Sequence, residues 1–184
     1  MEKWRISERQ KKLLDELFEG IELSEVKKVL DVGSGRTSLG FLTDRYKDLK
    51  ITSIIYPDDE ERIKKLKDSV KNENYEIIKT DIKNFGKSEE YDIVLAHLFL
   101  GEATKYGENN FEEILENLFA LKTKYLVIVN VSYDEPPLSY FPLLKKVAQT
   151  GKITRLSYVP SSELEADPRE KFGGGCIGMC IKFN

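Results

Sequence analysis

The chain predicts a doubly wound α/β fold on a seven-stranded, mostly parallel sheet. Three observations predict it. Short apolar runs alternate with segments of helical periodicity along most of the 184 residues. The first run, Val29-Leu30-Asp31-Val32, passes directly into Gly33-Ser34-Gly35 and then a helical segment, which is how a nucleotide-binding βαβ unit begins. The last two runs have no helix between them, so an antiparallel final strand fits.

Element by element, Ser7-Glu8-Arg9-Gln10 reads as a capping box, with Leu13, Leu14, Leu17 and Phe18 following at helical spacing. Gly20 is placed to end that helix, and residues 1–24 form an N-terminal helical segment. Residues 29–32 are the first strand, and Leu39, Phe41, Leu42 and Tyr46 mark the helix after the glycine turn. The second strand is 51–56, and Ile63, Leu66 and Val70 mark the next helix. Strands follow at 75–79 and 91–96, then a helix through Phe111, Ile114, Leu115 and Leu118. The run 125–131 is apolar throughout and reads as a central strand. Pro136-Pro137 opens a helix ending near Gly151. Strands at 153–159 and 176–183 close the chain, joined by a polar linker, 160–175, rich in Pro and Gly. No repeat, low-complexity tract or second domain interrupts this order, so residues 1–184 are expected to form a single domain.

Hydrophobic residues make up 40% and charged residues 33%, ordinary for a globular chain with one sizeable core. No apolar run is long enough to span a bilayer, and Met1-Glu2-Lys3-Trp4-Arg5 leads into no signal-peptide core, so the expected compartment is the cytoplasm. The net charge of -3 and pI near 5.5 do not indicate nucleic acid as a partner. Cys176 and Cys180 lie four residues apart in one strand, share a face and cannot bridge without a sharp bend. They read as reduced, half-buried strand residues, and with a single histidine in the chain no zinc set is present.

The acid two residues ahead of the first glycine discriminates among ligands. A pyrophosphate at such a turn wants bare N–H groups and no carboxylate, whereas a ligand with an amino group wants the carboxylate. The stretch Asp31-Val32-Gly33-Ser34-Gly35 resembles the first motif of the class I S-adenosylmethionine-dependent methyltransferases, with Thr37 where that pattern usually has a third small residue. The resemblance implies a Rossmann-like methyltransferase fold with an antiparallel last strand, S-adenosylmethionine as cofactor, and Asp31, Gly33, Ser34 and Gly35 around its methionine end. That family usually closes its second strand with a ribose-binding acid. Here Ile55 or Tyr56 occupies that place, and Asp58 and Asp59 follow. Those acids either reach back to the ribose or cap the next helix, while Tyr56 is placed to meet the adenine or the ribose. Asp81 after the third strand matches the family's adenine-binding acid, with Ile82 against the ring.

In such sheets ligands sit beyond the carboxyl ends of the strands. That rule brings in the loop after the fourth strand and with it His97, a candidate general base, the alternative being a structural or cofactor-contacting histidine. Glu102 and Tyr106 are further candidates, and the 160–175 linker is expected to lie beside the pocket as a lid or a solvated loop. No Asn/Asp-Pro-Pro-aromatic run follows the fourth strand, and neither cysteine sits after the fourth or fifth, so base-methylating chemistries of those kinds are unsupported. With no basic tail, a small-molecule acceptor is favoured, a protein or RNA acceptor or a non-catalytic binding module being the alternatives.

Overall fold

The computed structural model describes residues 7–57, 59–70, 72–86, 88–100, 111–132, 140–160 and 175–183. Seven strands form one sheet: β1 (Val29–Val32), β2 (Ile51–Ile55), β3 (Tyr75–Lys79), β4 (Glu90–His97), β5 (Lys122–Ser132), β6 (Lys152–Val159) and β7 (Gly175–Lys182). Their spatial order is β3-β2-β1-β4-β5-β7-β6. The first five pair in parallel, and β7 runs antiparallel to both β5 and β6. The expected doubly wound sheet with an antiparallel last strand is therefore what the chain forms.

Besides a short 3-10 turn at Leu23–Glu25 and helical residues 99–100, the described α-helices are α1 (Glu8–Leu17), α2 (Arg36–Arg45), α3 (Glu60–Ser69), α4 (Phe111–Phe119) and α5 (Tyr140–Thr150). They divide between the two faces, giving three layers and two cores. One core gathers Leu13, Leu14, Leu17 and Phe18 of α1, Leu39 and Leu42 of α2, and Ile63 and Leu66 of α3 against Val29, Ile93, Leu95, Val127 and Val129. The other packs Ile114, Leu115 and Leu118 of α4 and Leu143 and Val147 of α5 against Leu30, Val32, Val94, Ala96, Leu126 and Ile128. Alternate residues of β1, β4 and β5 serve opposite cores, which is why these strands read as continuous apolar runs.

Strand ends depart from the apolar runs. β5 begins at Lys122 because backbone pairing of Glu90 with Lys122 and Tyr91 with Thr123 extends the ladder beyond the buried segment. The predicted opening of α5 at Pro136-Pro137 lies outside the described residues, and the described helix starts at Tyr140. Cys176 and Cys180 are free thiols, as expected, but both are fully buried rather than half-buried, because α1 covers their face of β7. Among the described residues no helix is long and apolar enough to cross a membrane.

Strand order reverses at β1, whose neighbours are β2 on one side and β4 on the other. A cleft opens at the carboxyl ends of β1 and β4 in such a topology, and the glycine turn lies there.

Candidate functional site

Asp31 is the third residue of β1 and is wholly buried on the α1–α2–α3 face. Its Oδ2 accepts a hydrogen bond from Ser38 Oγ at 2.9 Å, while its Oδ1 is buried with no partner. Burial pushes the carboxyl from an ordinary 3.8 up to about 7, even though the neighbouring Ser34 and Ser38 hydroxyls pull it down. A half-satisfied buried carboxylate is costly to the fold. It is also what an incoming cation, or a water held by one, would complete.

The turn after Asp31 is pinned to the next strand. Gly33 takes φ +68°, and its N–H and that of Ser34 both donate to the Ile54 carbonyl, at 3.0 and 3.3 Å. Ser34 Oγ donates to the Asp31 carbonyl at 3.1 Å and accepts from Ser53 Oγ. Gly35 caps α2, and its N–H donates to Ser38 Oγ at 3.1 Å. The N–H groups of Gly33, Ser34 and Gly35 thus all have protein acceptors. The turn is built around a carboxylate instead of presenting amides to a phosphate.

A Cβ on Gly35 would meet nothing within 4 Å, so open space lies beside that residue. Gly33 is covered: a Cβ there would stand 2.5 Å from Cδ2 of Phe99. Phe99 reaches the turn because Leu98, directly after β4, adopts φ +56°, a left-handed conformation uncommon for a non-glycine residue and concentrated at functional loops.

Those other predicted positions that are described lie in or beside the loops that follow the parallel strands. Tyr56 follows β2 and is half-buried. Asp59 caps α3, accepting from the Arg62 N–H at 3.1 Å and pairing with Arg62 Nε at 3.0 Å. Asp58 lies outside the described residues, as do Glu102, Tyr106 and linker residues 161–174. Asp81 follows β3 beside the end of β2, where Thr80 N–H donates to the Ile55 carbonyl at 2.9 Å. Its Oδ1 accepts from the Lys83 N–H at 3.1 Å, the geometry of an Asx turn, and Ile82 is buried in the second core.

His97 ends β4 one residue beyond Ala96, which pairs with Val32 of β1, so it stands level with the glycine turn. It is buried, and burial lowers its pKa from 6.5 to about 4, which keeps the imidazole neutral at physiological pH. Its Nε2 lies 3.0 Å from Oε1 of Gln10. Reading the motif misses Ser38, Gln10 and Phe99, three residues that build this rim. A signal existed for one of them: Gln10 falls three and four residues before Leu13 and Leu14, on the buried stripe of α1.

No protein-family model matches the chain, and no curated protein matches it in sequence. Solved structures do. The N-methyltransferase NodS from Bradyrhizobium japonicum WM9, in complex with S-adenosylhomocysteine, superposes with a TM-score of 0.61 at 14% identity, over 96% of this chain and 86% of that one. The 1,6-didemethyltoxoflavin-N1-methyltransferase of Burkholderia thailandensis, with that substrate and S-adenosylhomocysteine bound, gives 0.62 at 15% identity over 96% and 77%. The plantazolicin methyltransferase BpumL, with S-adenosylhomocysteine, gives 0.57 at 17% identity over 95% and 82%. The likeness establishes that the chain has the class I methyltransferase fold.

Proposed function

We propose that this protein is an S-adenosylmethionine-dependent methyltransferase acting on a small molecule. The observation that carries the reading is Asp31: a buried carboxylate with one unpartnered oxygen, beneath a glycine turn whose amides are already satisfied. That arrangement suits an ammonium and is poor for a pyrophosphate. S-adenosylmethionine has such an ammonium, and it supplies a methyl group activated on a sulfonium. Asp31 would bind the methionine ammonium, with Gly33 and Ser34 shaping the turn, open space beside Gly35, and Ser38 orienting the carboxylate. Tyr56, Asp81 and Ile82 frame the adenosine end. His97 stands at the acceptor side of the rim. Methyl transfer to a nucleophile is an in-line displacement, so much of the rate comes from holding the two reactants in line and keeping water out. His97 is neutral there and serves as a hydrogen-bond partner for the acceptor group.

A small acceptor is supported by the absence of excess positive charge and by the small-molecule methyltransferase among the fold neighbours. Thermal melts provide the test. A ligand that binds only the folded state adds about 2.7 kcal/mol at one hundred times its dissociation constant, so S-adenosylmethionine and S-adenosylhomocysteine should raise Tm and NAD should not. A shift with NAD alone would falsify the assignment. Shifts with both adenosyl compounds, but no S-adenosylhomocysteine formed from any pool of small metabolites, would overturn the small-molecule acceptor and leave a macromolecular acceptor or a binding module.

A further inference from the structure

The buried face of α1 carries a polar side chain amid leucines. Gln10 shares its stripe with Leu13, Leu14 and Leu17 and is 1% exposed, so its amide must find partners inside the protein. Its Nε2 donates to Sγ of Cys176 at 3.4 Å, and its Oε1 faces Nε2 of His97 at 3.0 Å. His97 ends β4 and Cys176 lies at the start of β7, with β5 running between the two strands. The amide therefore spans β5 at the carboxyl rim and ties α1 to the strands on both sides of it.

The seat of α1 holds that amide in place. Leu17 fills the notch left by Gly178, where a Cβ would stand 2.4 Å from Leu17 Cδ1. Ser157 Oγ donates to Glu16 Oε2 at 2.5 Å, and Arg45 reaches Asp15 and the Phe18 carbonyl at 3.5 and 3.4 Å.

The direction of the amide decides the chemistry of the ring. With its nitrogen on the thiol sulfur, its carbonyl oxygen faces the imidazole, and a carbonyl only accepts. The proton of neutral His97 must then sit on Nε2, which leaves the lone pair on Nδ1. We propose that Gln10 is a positioning residue: anchored on Cys176, it holds His97 as the Nε2–H tautomer and makes Nδ1 the ring's hydrogen-bond acceptor at the rim. The role rests on the methyltransferase reading, in which a fixed acceptor aligns the N–H or O–H of the atom to be methylated. A buried ring that stays neutral down to about pH 4 suits an acceptor that must not be lost to protonation.

His97 is the only histidine in the chain, so nitrogen NMR of histidine-labelled protein reads its tautomer without assignment. The wild type should show the Nε2–H form alone. Gln10→Met keeps the volume, removes the acceptor, and should bring in the Nδ1–H form. Gln10→Glu keeps an acceptor facing Nε2 and should retain Nε2–H, while its carboxylate makes Nδ1 protonate at higher pH than in the wild type. Once an acceptor substrate is in hand, Gln10→Met should lower kcat about ten- to a hundredfold while the KM for S-adenosylmethionine stays unchanged, with Gln10→Glu restoring most of the loss at alkaline pH, where Nδ1 is unprotonated, and less of it in acid. An Nδ1–H wild type, a Gln10→Met spectrum identical to it, or an altered tautomer with kcat intact would each overturn the proposal. Failure of the methyltransferase reading has a separate signature, the absence of any Tm shift with S-adenosylmethionine in the wild type, and the spectra judge the Gln10–His97 arrangement regardless.

Discussion

Replacing Asp31 with Asn should make the empty protein more stable above neutral pH while removing its affinity for the cofactor. The folded state holds the Asp31 proton up to about pH 7, whereas the unfolded chain releases it near 3.8. Between those values the folded form binds more protons, so this group's contribution to stability falls as pH rises through the window and levels off above about 7. At about 1.36 kcal/mol per pH unit, the displacement corresponds to roughly 4 kcal/mol. His97 acts with the opposite sign. Its pKa falls from 6.5 to about 4 on folding, so stability is lost as pH drops from 6.5 toward 4. Across much of the acid range the two groups offset one another, and the wild-type profile hides both. The difference between wild type and Asp31→Asn isolates the carboxyl. Asparagine still accepts from Ser38, but it brings an NH2 to the buried position where Oδ1 has no partner, at a cost of about 1–3 kcal/mol. The variant should therefore be the less stable protein near pH 4 and the more stable one, by about 1–3 kcal/mol, near pH 8. Urea unfolding at a series of pH values measures this, with S-adenosylmethionine-induced Tm shifts run alongside. A stability difference that stays constant with pH would refute the argument that Asp31 is destabilised by burial. A variant that still binds the cofactor would refute its role.

The remaining predictions follow from close contacts on the same face. Ser38→Ala removes the donor to Asp31 Oδ2 and should cost about 1–3 kcal/mol above neutral pH, less in acid where the carboxyl is protonated, and weaken S-adenosylmethionine binding in titration calorimetry. Gly33→Ala forces a side chain onto φ +68°, worth about 1–2 kcal/mol by itself, and into the Phe99 ring. Combining it with Phe99→Ala should cost less than the two single changes added together, and strict additivity in denaturant melts would count against the contact. Gly178→Ala should destabilise by about 1–3 kcal/mol by pushing Leu17 out of its notch, with Leu17→Ala relieving part of that loss, and equal damage in both backgrounds would show that α1 is seated some other way.

Legibility in the sequence followed the range of the interactions. The helix of α1 was readable because its cap and its stripe are local: Ser7 Oγ accepts from the Gln10 N–H at 3.2 Å, and Leu13, Leu14 and Leu17 repeat at helical spacing. The glycine turn was readable because Gly33 needs its positive φ whatever surrounds it. The antiparallel β7 was readable from a missing helix. The extra length of β5 was not, because Lys122 and Thr123 are held by backbone pairing to β4, which leaves no mark on side-chain pattern. The depth of Cys176 and Cys180 was misjudged for a related reason: a strand's own alternation says which side chains share a face, but not that a helix from the far end of the chain will cover it.

The same division separates the parts of the site. Asp31 and the glycines are carried by five consecutive residues and announce a ligand's charge. Their partners arrive through tertiary structure: Ser38 after a turn of α2, Phe99 through a strained Leu98, Gln10 across 87 residues from His97. A buried glutamine in a row of leucines is locally inconsistent, since burial favours an apolar residue there. So is a carboxylate with one oxygen left unpaired. Both oddities lie on one face of the sheet, at the carboxyl ends of β1 and β4, the strands that flank the switch point. Defects scattered at random would have no reason to coincide with the place where the topology opens a cleft. Their coincidence is the argument that stability has been given up there for a ligand, and the pH-dependent stability of Asp31→Asn together with the tautomer of His97 tests the two defects separately.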